Sequence, residues 1–346
     1  MSLLQHQLRI IPHQRTVVAS ADRSLLDAAL QAGLNLPHSC KSGHCSSCRA
    51  RLIEGEFHYP HGRPAGITAE EADRGFLLLC QARARSDLTV EARVIARVGA
   101  VEIKTLPCRI ARLRRLAPDV MAVFLRLPAV EALEFQPGQY LDVLIEGDRR
   151  RSFSIASPPH DAQLLEIHVR HVAGGSFTRR LFDAAPAGEG LREGSLLRIE
   201  GPIGQFVYRD DPRPALLIAG GTGFAPLKSI LRHVLERGGT RALQLYWGAR
   251  RAVDLYEAPL IESWLARYPN FTFTSVLSEA GAEDGAARRG FVHEAVLADH
   301  PRLAGHEVYA AGPPAMIEAI RTHFPARGLA PDALYFDSFD YATEVK

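Results

Sequence analysis

Charge of one sign is what this 346-residue sequence most plainly lacks: 41 Lys and Arg stand against 39 Asp and Glu, a formal net charge of +2. So even a balance leaves no electrostatic footprint for a nucleic-acid or anionic-membrane partner. Long apolar runs are missing too. No stretch approaches the roughly 20 residues that cross a bilayer, and the N-terminus carries no continuous apolar segment of the export type. Cysteine is scarce, at 5 residues, too few for a disulfide framework in a chain of this length. Internal repeats and low-complexity segments are absent. What is left is an ordinary globular composition, 47% hydrophobic and 23% charged. The chain is too long for one core and suits two or three domains. The expected location is a reducing cytoplasm.

The cysteines are few but not scattered. Cys40, Cys45 and Cys48 follow a C-x4-C-x2-C spacing, with Cys80 further on. Four thiolates so placed hold two bridged irons, two ligands to each, and the spacing is that of plant-type [2Fe–2S] sites. The small residues Ser42, Gly43, Ser46 and Ser47 suit a loop whose backbone curls close around an inorganic core. A zinc tetrathiolate would use the same residue type, but zinc sites more often pair their cysteines as C-x2-C. A Rieske centre needs two His in place of two Cys and is excluded by ligand type. His44 lies off the ligand spacing and reads as a solvated loop residue. Cys108 lies outside the set and reads as an inert core thiol.

Residues 1–97 read as a compact α+β unit. Gln7–Ile11 and Arg15–Ala19 form a hairpin pattern, Ser24–Ala32 is helical, and Thr68 with Glu71 makes a capping box for a short helix. A linker is expected over Ala96–Lys104. Residues 104–207 read as short antiparallel strands punctuated by turns, the pattern of a small barrel. Residues 212–346 alternate strand and helix, as in a parallel sheet covered on both faces. The basic run Arg112-Leu113-Arg114-Arg115 reads as a solvated strand face.

Two stretches have the chemistry of nucleotide sites. In Arg151-Ser152-Phe153-Ser154, a cation, an aromatic and a small hydroxyl recur along one strand, and alternation is expected to put them on one face. A flavin dinucleotide needs such groups at its pyrophosphate and ring. Alone the pattern is weak, because an exposed Arg beside a core Phe is common. Downstream, Gly174-Gly175-Ser176-Phe177-Thr178 would open a helix toward the same pyrophosphate. The second stretch is Gly220-Gly221-Thr222-Gly223, directly after the apolar run Ala215–Ala219 and before a helical pattern at Leu227–Arg237. Glycines there let backbone approach a pyrophosphate at a helix N-terminus. A tight strand–helix turn accounts for the same glycines on spacing alone.

With these motifs in order, the sequence resembles, end to end, the three-domain members of the ferredoxin–NADP reductase superfamily. These include oxygenase reductase components and the CDP-6-deoxy-glucoseen reductases. The resemblance implies a β-grasp ferredoxin domain, an antiparallel β-barrel FAD domain and an α/β NAD(P) domain. It assigns Arg151, Phe153 and Ser154 to the flavin motif, with Phe153 where Tyr is usual. It assigns Gly174, Gly175, Ser176 and Thr178 to the flavin pyrophosphate, and Gly220–Gly223 to the nicotinamide dinucleotide. Gly312 and Pro313 match the family's C-G-P-P turn, with Ala311 in place of Cys. Phe339 is expected to cover the flavin ring, with Phe336 buried instead. Ser154 and Phe339 are thus the residues nearest the reacting rings.

The implied route runs from NAD(P)H through FAD to a cluster on Cys40, Cys45, Cys48 and Cys80, and on to an external acceptor protein docking near the cluster loop. A monomer is expected. A reductase of free flavin or quinone, and a non-catalytic nucleotide sensor, are the competing readings. Arg250 and Asp254 follow the second strand of the last domain, Leu243–Trp247. An acid there accepts from ribose hydroxyls and repels a 2′-phosphate, so NADH is expected as donor, with residual NADPH use through Arg250.

Overall fold

The computed structural model describes residues 4–38, 41, 43, 46–64, 66–92, 94, 102–145, 149–161, 163–182, 190–281 and 287–339. Contacts divide the chain into two compact units, Met1–Ala100 and Val101–Lys346. Each is described by itself. Most of the expected linker, Ala96–Lys104, lies outside the described residues.

In the first unit, strands β1 (Gln5–Ile11) and β2 (Arg15–Ser20) form the expected hairpin. Helix α1 (Leu25–Gln31) follows, and the Asp27 N–H donates to the hydroxyl of its cap, Ser24, at 3.1 Å. Next come β3 (Arg49–Glu54), β4 (Phe57–His58), α2 (Ala69–Asp73), β5 (Phe76–Leu78), β6 (Arg83–Ala84) and β7 (Leu88–Glu91). The main sheet runs β2-β1-β7-β3-β5 and is mixed, because β1 and β7 pair in parallel while the other pairs are antiparallel. Leu25, Leu26 and Ala29 of α1 are buried with Leu8, Ile10 and Leu77 of the sheet. The capping box of α2 is present: the Thr68 N–H donates to Glu71 Oε2 at 2.9 Å, and the Glu71 N–H to Thr68 Oγ1 at 3.1 Å.

The second unit begins with an antiparallel sheet of β8 (Lys104–Ala117), β9 (Val120–Arg126), β10 (Tyr140–Leu144), β11 (Arg150–Ser154), β12 (Leu164–Arg170) and β13 (Leu196–Ile203), with α3 (Ser176–Phe182) after β12. The order is β11-β10-β13-β8-β9-β12, and a bridge between Ile155 and Ile167 brings the two edges together. Its inward positions are apolar and alternate with exposed ones, as in Leu106, Cys108 and Ile110 of β8. Burial pushes the Cys108 thiol up to about 12, as an inert core thiol requires.

A parallel sheet completes the unit: β14 (Ala215–Gly220), α4 (Phe224–Glu236), β15 (Leu243–Ala249), α5 (Ala258–Arg267), β16 (Phe271–Leu277), β17 (Arg288–Arg289), α6 (Val292–Asp299), β18 (Glu307–Gly312), α7 (Pro314–His323) and β19 (Leu334–Ser338). Its order is β17-β16-β15-β14-β18-β19. The order reverses between β14 and β18, so a crevice opens beyond the carboxyl ends of those two strands. Every residue of β14 and β18 is buried, as expected for central strands covered on both faces. Helix α4 starts at Phe224, three residues before the expected Leu227. Pro226 falls in its first turn, where a missing N–H costs nothing.

Candidate functional site

Within the first unit, Cys48 and Cys80 are both buried, 4% and 8% exposed, and neither is in a disulfide. The backbone ties them together, for the N–H of Leu79 donates to the Cys48 carbonyl at 3.2 Å. Cys40, Cys45, Ser42 and His44 lie outside the described residues. Gly43 has a positive φ of 82°, and a Cβ there would meet Pro64 Cβ at 2.7 Å and Gln81 Cγ at 2.8 Å. The Gln81 amide in turn donates to the Lys41 carbonyl at 2.8 Å. Among the described residues, the buried Ser47 hydroxyl has no hydrogen-bond partner. A buried orphan hydroxyl beside buried thiols fits a loop built around a further acceptor such as sulfide.

In the antiparallel sheet, β11 pairs with β10 so that Ser154 lies opposite Tyr140, Ser152 opposite Asp142 and Arg151 opposite Val143. The register corrects one expectation. Arg151 and Phe153 share a face, but Ser154 is an odd number of residues from Arg151 and points to the other. Phe153 packs against Phe177 of α3 at 5.5 Å between ring centroids. The Thr178 hydroxyl accepts from the Val172 N–H at 3.2 Å, closing the Gly174-Gly175 turn. Gly175 sits over that hydroxyl, so a Cβ would meet it at 2.8 Å. Arg150 is ion-paired with Glu200, and Arg151, half-buried, donates from Nη1 to the Arg150 carbonyl at 2.9 Å.

At the switch point of the parallel sheet, two loops interlock. A 3-10 turn, Gly221–Gly223, joins β14 to α4, and Gly221 has a φ of 53°. A Cβ on Gly220 would meet Pro313 Cδ at 2.6 Å, and one on Gly223 would run into the Ala311 carbonyl. A side chain is thus excluded at Gly220 and Gly223, where the two loops meet backbone to backbone. Trp247 of β15 donates its indole N–H to the Gly221 carbonyl at 3.0 Å and stacks on Phe224 at 4.1 Å. The Phe339 N–H donates to the Gly312 carbonyl at 2.9 Å. That bond delivers Phe339 beside the Gly312-Pro313 turn, whereas Phe336 packs into the core on the other side of the sheet.

Arg250 is exposed beyond β15. One oxygen of Asp254 accepts from the Arg251 N–H at 3.1 Å and caps the turn Ala252–Asp254. The sheet also brings up an acid that sequence reasoning missed: the N–H of exposed Glu279, beyond β16, donates to the Arg250 carbonyl at 2.9 Å. Only the parallel pairing of β15 with β16 reveals it.

The larger omission is a polar ladder on β12. Glu166, His168 and Arg170 alternate along the strand and face the parallel-sheet half of the unit. Glu166 accepts from Lys228 of α4 at 2.9 and 3.0 Å. His168 lies 3.0 Å from the Tyr256 hydroxyl. The Arg170 guanidinium lies against the glycine turn, where a Cβ on Gly221 would sit 3.4 Å from Nη1. Its Nε is 3.4 Å from Asp119, yet Nε and Nη2 are buried and make no hydrogen bond among the described residues. The unbonded Nη2, 3.6 Å from where a Cβ on Gly221 would sit, fits an anion bound at the turn. Nor is Arg114 merely solvated as expected, for it bonds Glu257 at 2.9 Å.

The segments just described coincide with three family models: a 2Fe-2S iron-sulfur cluster binding domain over residues 8–85, an oxidoreductase FAD-binding domain over 107–208, and an oxidoreductase NAD-binding domain over 217–322. The chain is 35% identical to the CDP-6-deoxy-L-threo-D-glycero-4-hexulose-3-dehydrase reductase of Yersinia pestis, over 96% of this chain and 98% of that one. It is 33% identical to reductase component 1 of the terephthalate 1,2-dioxygenase of Comamonas sp., over 97% and 98%. The chain belongs to the three-domain iron–sulfur flavoprotein reductases. The crystal structure of the Amycolatopsis cytochrome P450 reductase GcoB superposes on this reductase with a TM-score of 0.74 at 33% identity, covering 98% of this chain and 100% of the other. The reductase is therefore an NAD(P)H-dependent oxidoreductase with domains for a [2Fe–2S] cluster, FAD and NAD, and electron transfer is its function. No helix among the described residues is long and apolar enough to cross a membrane.

Proposed function

We propose that the reductase takes hydride from NADH at the switch-point crevice and passes electrons singly to a separate redox protein that docks near the cluster loop. The observation carrying this is the crevice itself: two interlocked glycine loops with Arg170 of the antiparallel sheet set against them. In this reading Gly220, Gly221, Thr222 and Gly223 present backbone to the nucleotide pyrophosphate, with Gly312 and Pro313 beside the nicotinamide. Arg170 adds the positive charge.

Arg151 holds the flavin pyrophosphate, with Gly174, Gly175, Ser176 and Thr178 forming the turn beside it. Phe153, on the face it shares with Arg151, lies along the flavin and Phe339 borders its ring, whereas Ser154 faces the other side of β11. Cys40, Cys45, Cys48 and Cys80 hold the cluster. Bound flavin exchanges two electrons with the nucleotide and one at a time with the cluster. The protein's part is to position the groups and keep water out, with no side-chain base at the hydride step.

The working boundaries are 1–97, 104–207 and 212–346, in a monomer of a reducing cytoplasm. The acceptor class is a one-electron redox enzyme, such as an oxygenase or a deoxyhexulose dehydrase. Asp254 and Glu279 flank Arg250 with acid and favour NADH over NADPH. Reconstituted protein should carry two irons, two labile sulfides and one FAD, the cluster stoichiometry being that of a [2Fe–2S] site. Anaerobic NADH should bleach its flavin, and Cys45→Ala should stop ferricytochrome reduction while leaving that bleaching intact. One zinc per chain with no labile sulfide would overturn the cluster reading.

A further inference from the structure

Between the two halves of the second unit lies a polar network that none of the motifs includes. The antiparallel sheet contributes Arg114, Glu166 and His168, and the parallel-sheet half contributes Lys228, Tyr256 and Glu257. The Glu166, Lys228 and Glu257 side chains are 5%, 4% and 7% exposed. Lys228 Nζ donates to both oxygens of Glu166 and to Glu257 at 2.9–3.0 Å. Glu166, His168 and Glu257 have the composition of a metal triad and their ligand atoms lie within 4.8 Å of one another, but the Lys228 ammonium already occupies the cation's place.

Hydrogen-bond roles follow from charge. Burial alone would raise the Glu166 carboxyl, but its bond to His168 and the charge of Lys228 outweigh that and hold it well below the usual range. Burial pushes His168 down, which leaves its ring neutral. Ionised Glu166 therefore accepts from His168 Nε2 at 3.1 Å, and His168 Nδ1 accepts from the Tyr256 hydroxyl at 3.0 Å. The Tyr256 ring stands edge-on to Trp247 at 5.0 Å, and Trp247 holds the Gly221 carbonyl. His168 also stacks on Phe224, the first residue of α4, at 6.5 Å. An unbroken run of contacts thus leads from a strand of the flavin domain to the glycine turn of the nucleotide domain.

We infer that Glu166, His168, Lys228 and Tyr256 are positioning residues. They fix the nicotinamide-binding turn relative to the flavin domain, and so set the rate of hydride transfer more than the affinity for nucleotide. Donor and acceptor carbons sit on different domains, and a misplacement on the order of 1 Å costs up to about a hundredfold in rate. The inference rests on the reading of the crevice as the nucleotide site.

The test uses holoenzyme under anaerobic conditions. In Tyr256→Phe, which removes one hydroxyl and keeps the ring, the limiting rate of flavin bleaching by NADH should fall about tenfold. Its FAD content should be unchanged, and its dissociation constant for NAD+ should move by less than about threefold. Amide exchange at Gly221–Phe224 should quicken, with β10 and β11 unaffected. Lys228→Met should slow bleaching further, and Lys228→Arg should restore much of it. If Lys228→Met does not fold, Tyr256→Phe decides alone. A lower melting temperature with wild-type bleaching and wild-type exchange at the turn would overturn the inference. A wild-type flavin that NADH leaves oxidised would overturn the crevice reading beneath it, which the variant comparison does not mimic.

Discussion

Arg151 shows how much of a site one residue decides. In the proposed reading it is the half-buried cation of β11 that meets the flavin pyrophosphate. A charge-assisted contact of this kind contributes about 1.5–3 kcal/mol. Arg151→Ala should therefore raise the FAD dissociation constant between roughly tenfold and a hundredfold, read by titration of the apoprotein. Unchanged affinity would move the pyrophosphate contact to Arg149. Arg170 has the corresponding part at the other nucleotide in the proposed reading. Arg170→Ala should weaken NAD+ binding about tenfold, the weight of one charged contact, with FAD content unaffected. Loss of FAD instead would place Arg170 at the wrong dinucleotide.

Among elements, the strand ends after β15 and β16 are where the proposed reading places nucleotide choice. Asp254 caps its own turn through the Arg251 N–H, so its removal carries a local cost of about 1 kcal/mol besides any effect on ribose. Glu279 has no such duty shown. Glu279→Gln should narrow the preference for NADH, measured as the ratio of kcat/KM values for NADH and NADPH, and Arg250→Ala should widen it. A wild-type ratio favouring NADPH would refute the assignment. The glycine turn and the cysteine spacing were legible in the sequence because each is a local pattern with a local job. The β12 ladder was not, because its partners are distant: Lys228 is 62 residues from Glu166, and Glu257 is 143 from Arg114. A polar alternation on a strand says only that one face is not core, not that another domain covers it. The opposite error fell on Ser154, where a motif with an odd spacing was read as lying on one face.

For the whole second unit, buried groups set the response to acid. His168 is fully buried and its pKa is depressed, so the unfolded chain takes up a proton there before the folded one does. The unfolded state then binds more protons, and stability falls as pH drops below about 6.5, by at most about 1.4 kcal/mol per pH unit for this group. Glu166, also depressed, contributes stability that is present above the ordinary carboxylate range and lost only at much lower pH. Melting temperature of the holoenzyme should therefore decline from about pH 6.5 downward, and His168→Gln should flatten that decline. An unaltered slope in the variant would show that the half-buried histidines His233, His293 and His300, also depressed by desolvation, dominate.

The ion triad across the seam also constrains how such enzymes can be reshuffled. A recombination breakpoint between residues 207 and 215 keeps every motif intact, yet it parts Glu166 from Lys228 and Arg114 from Glu257. A chimera joining this flavin domain to a foreign nucleotide domain without that lysine would leave the buried Glu166 carboxylate without its ammonium partner, and removing one partner of a buried pair costs about 3–5 kcal/mol. A successful graft must carry α4 and the Tyr256-Glu257 loop together with the strand they face.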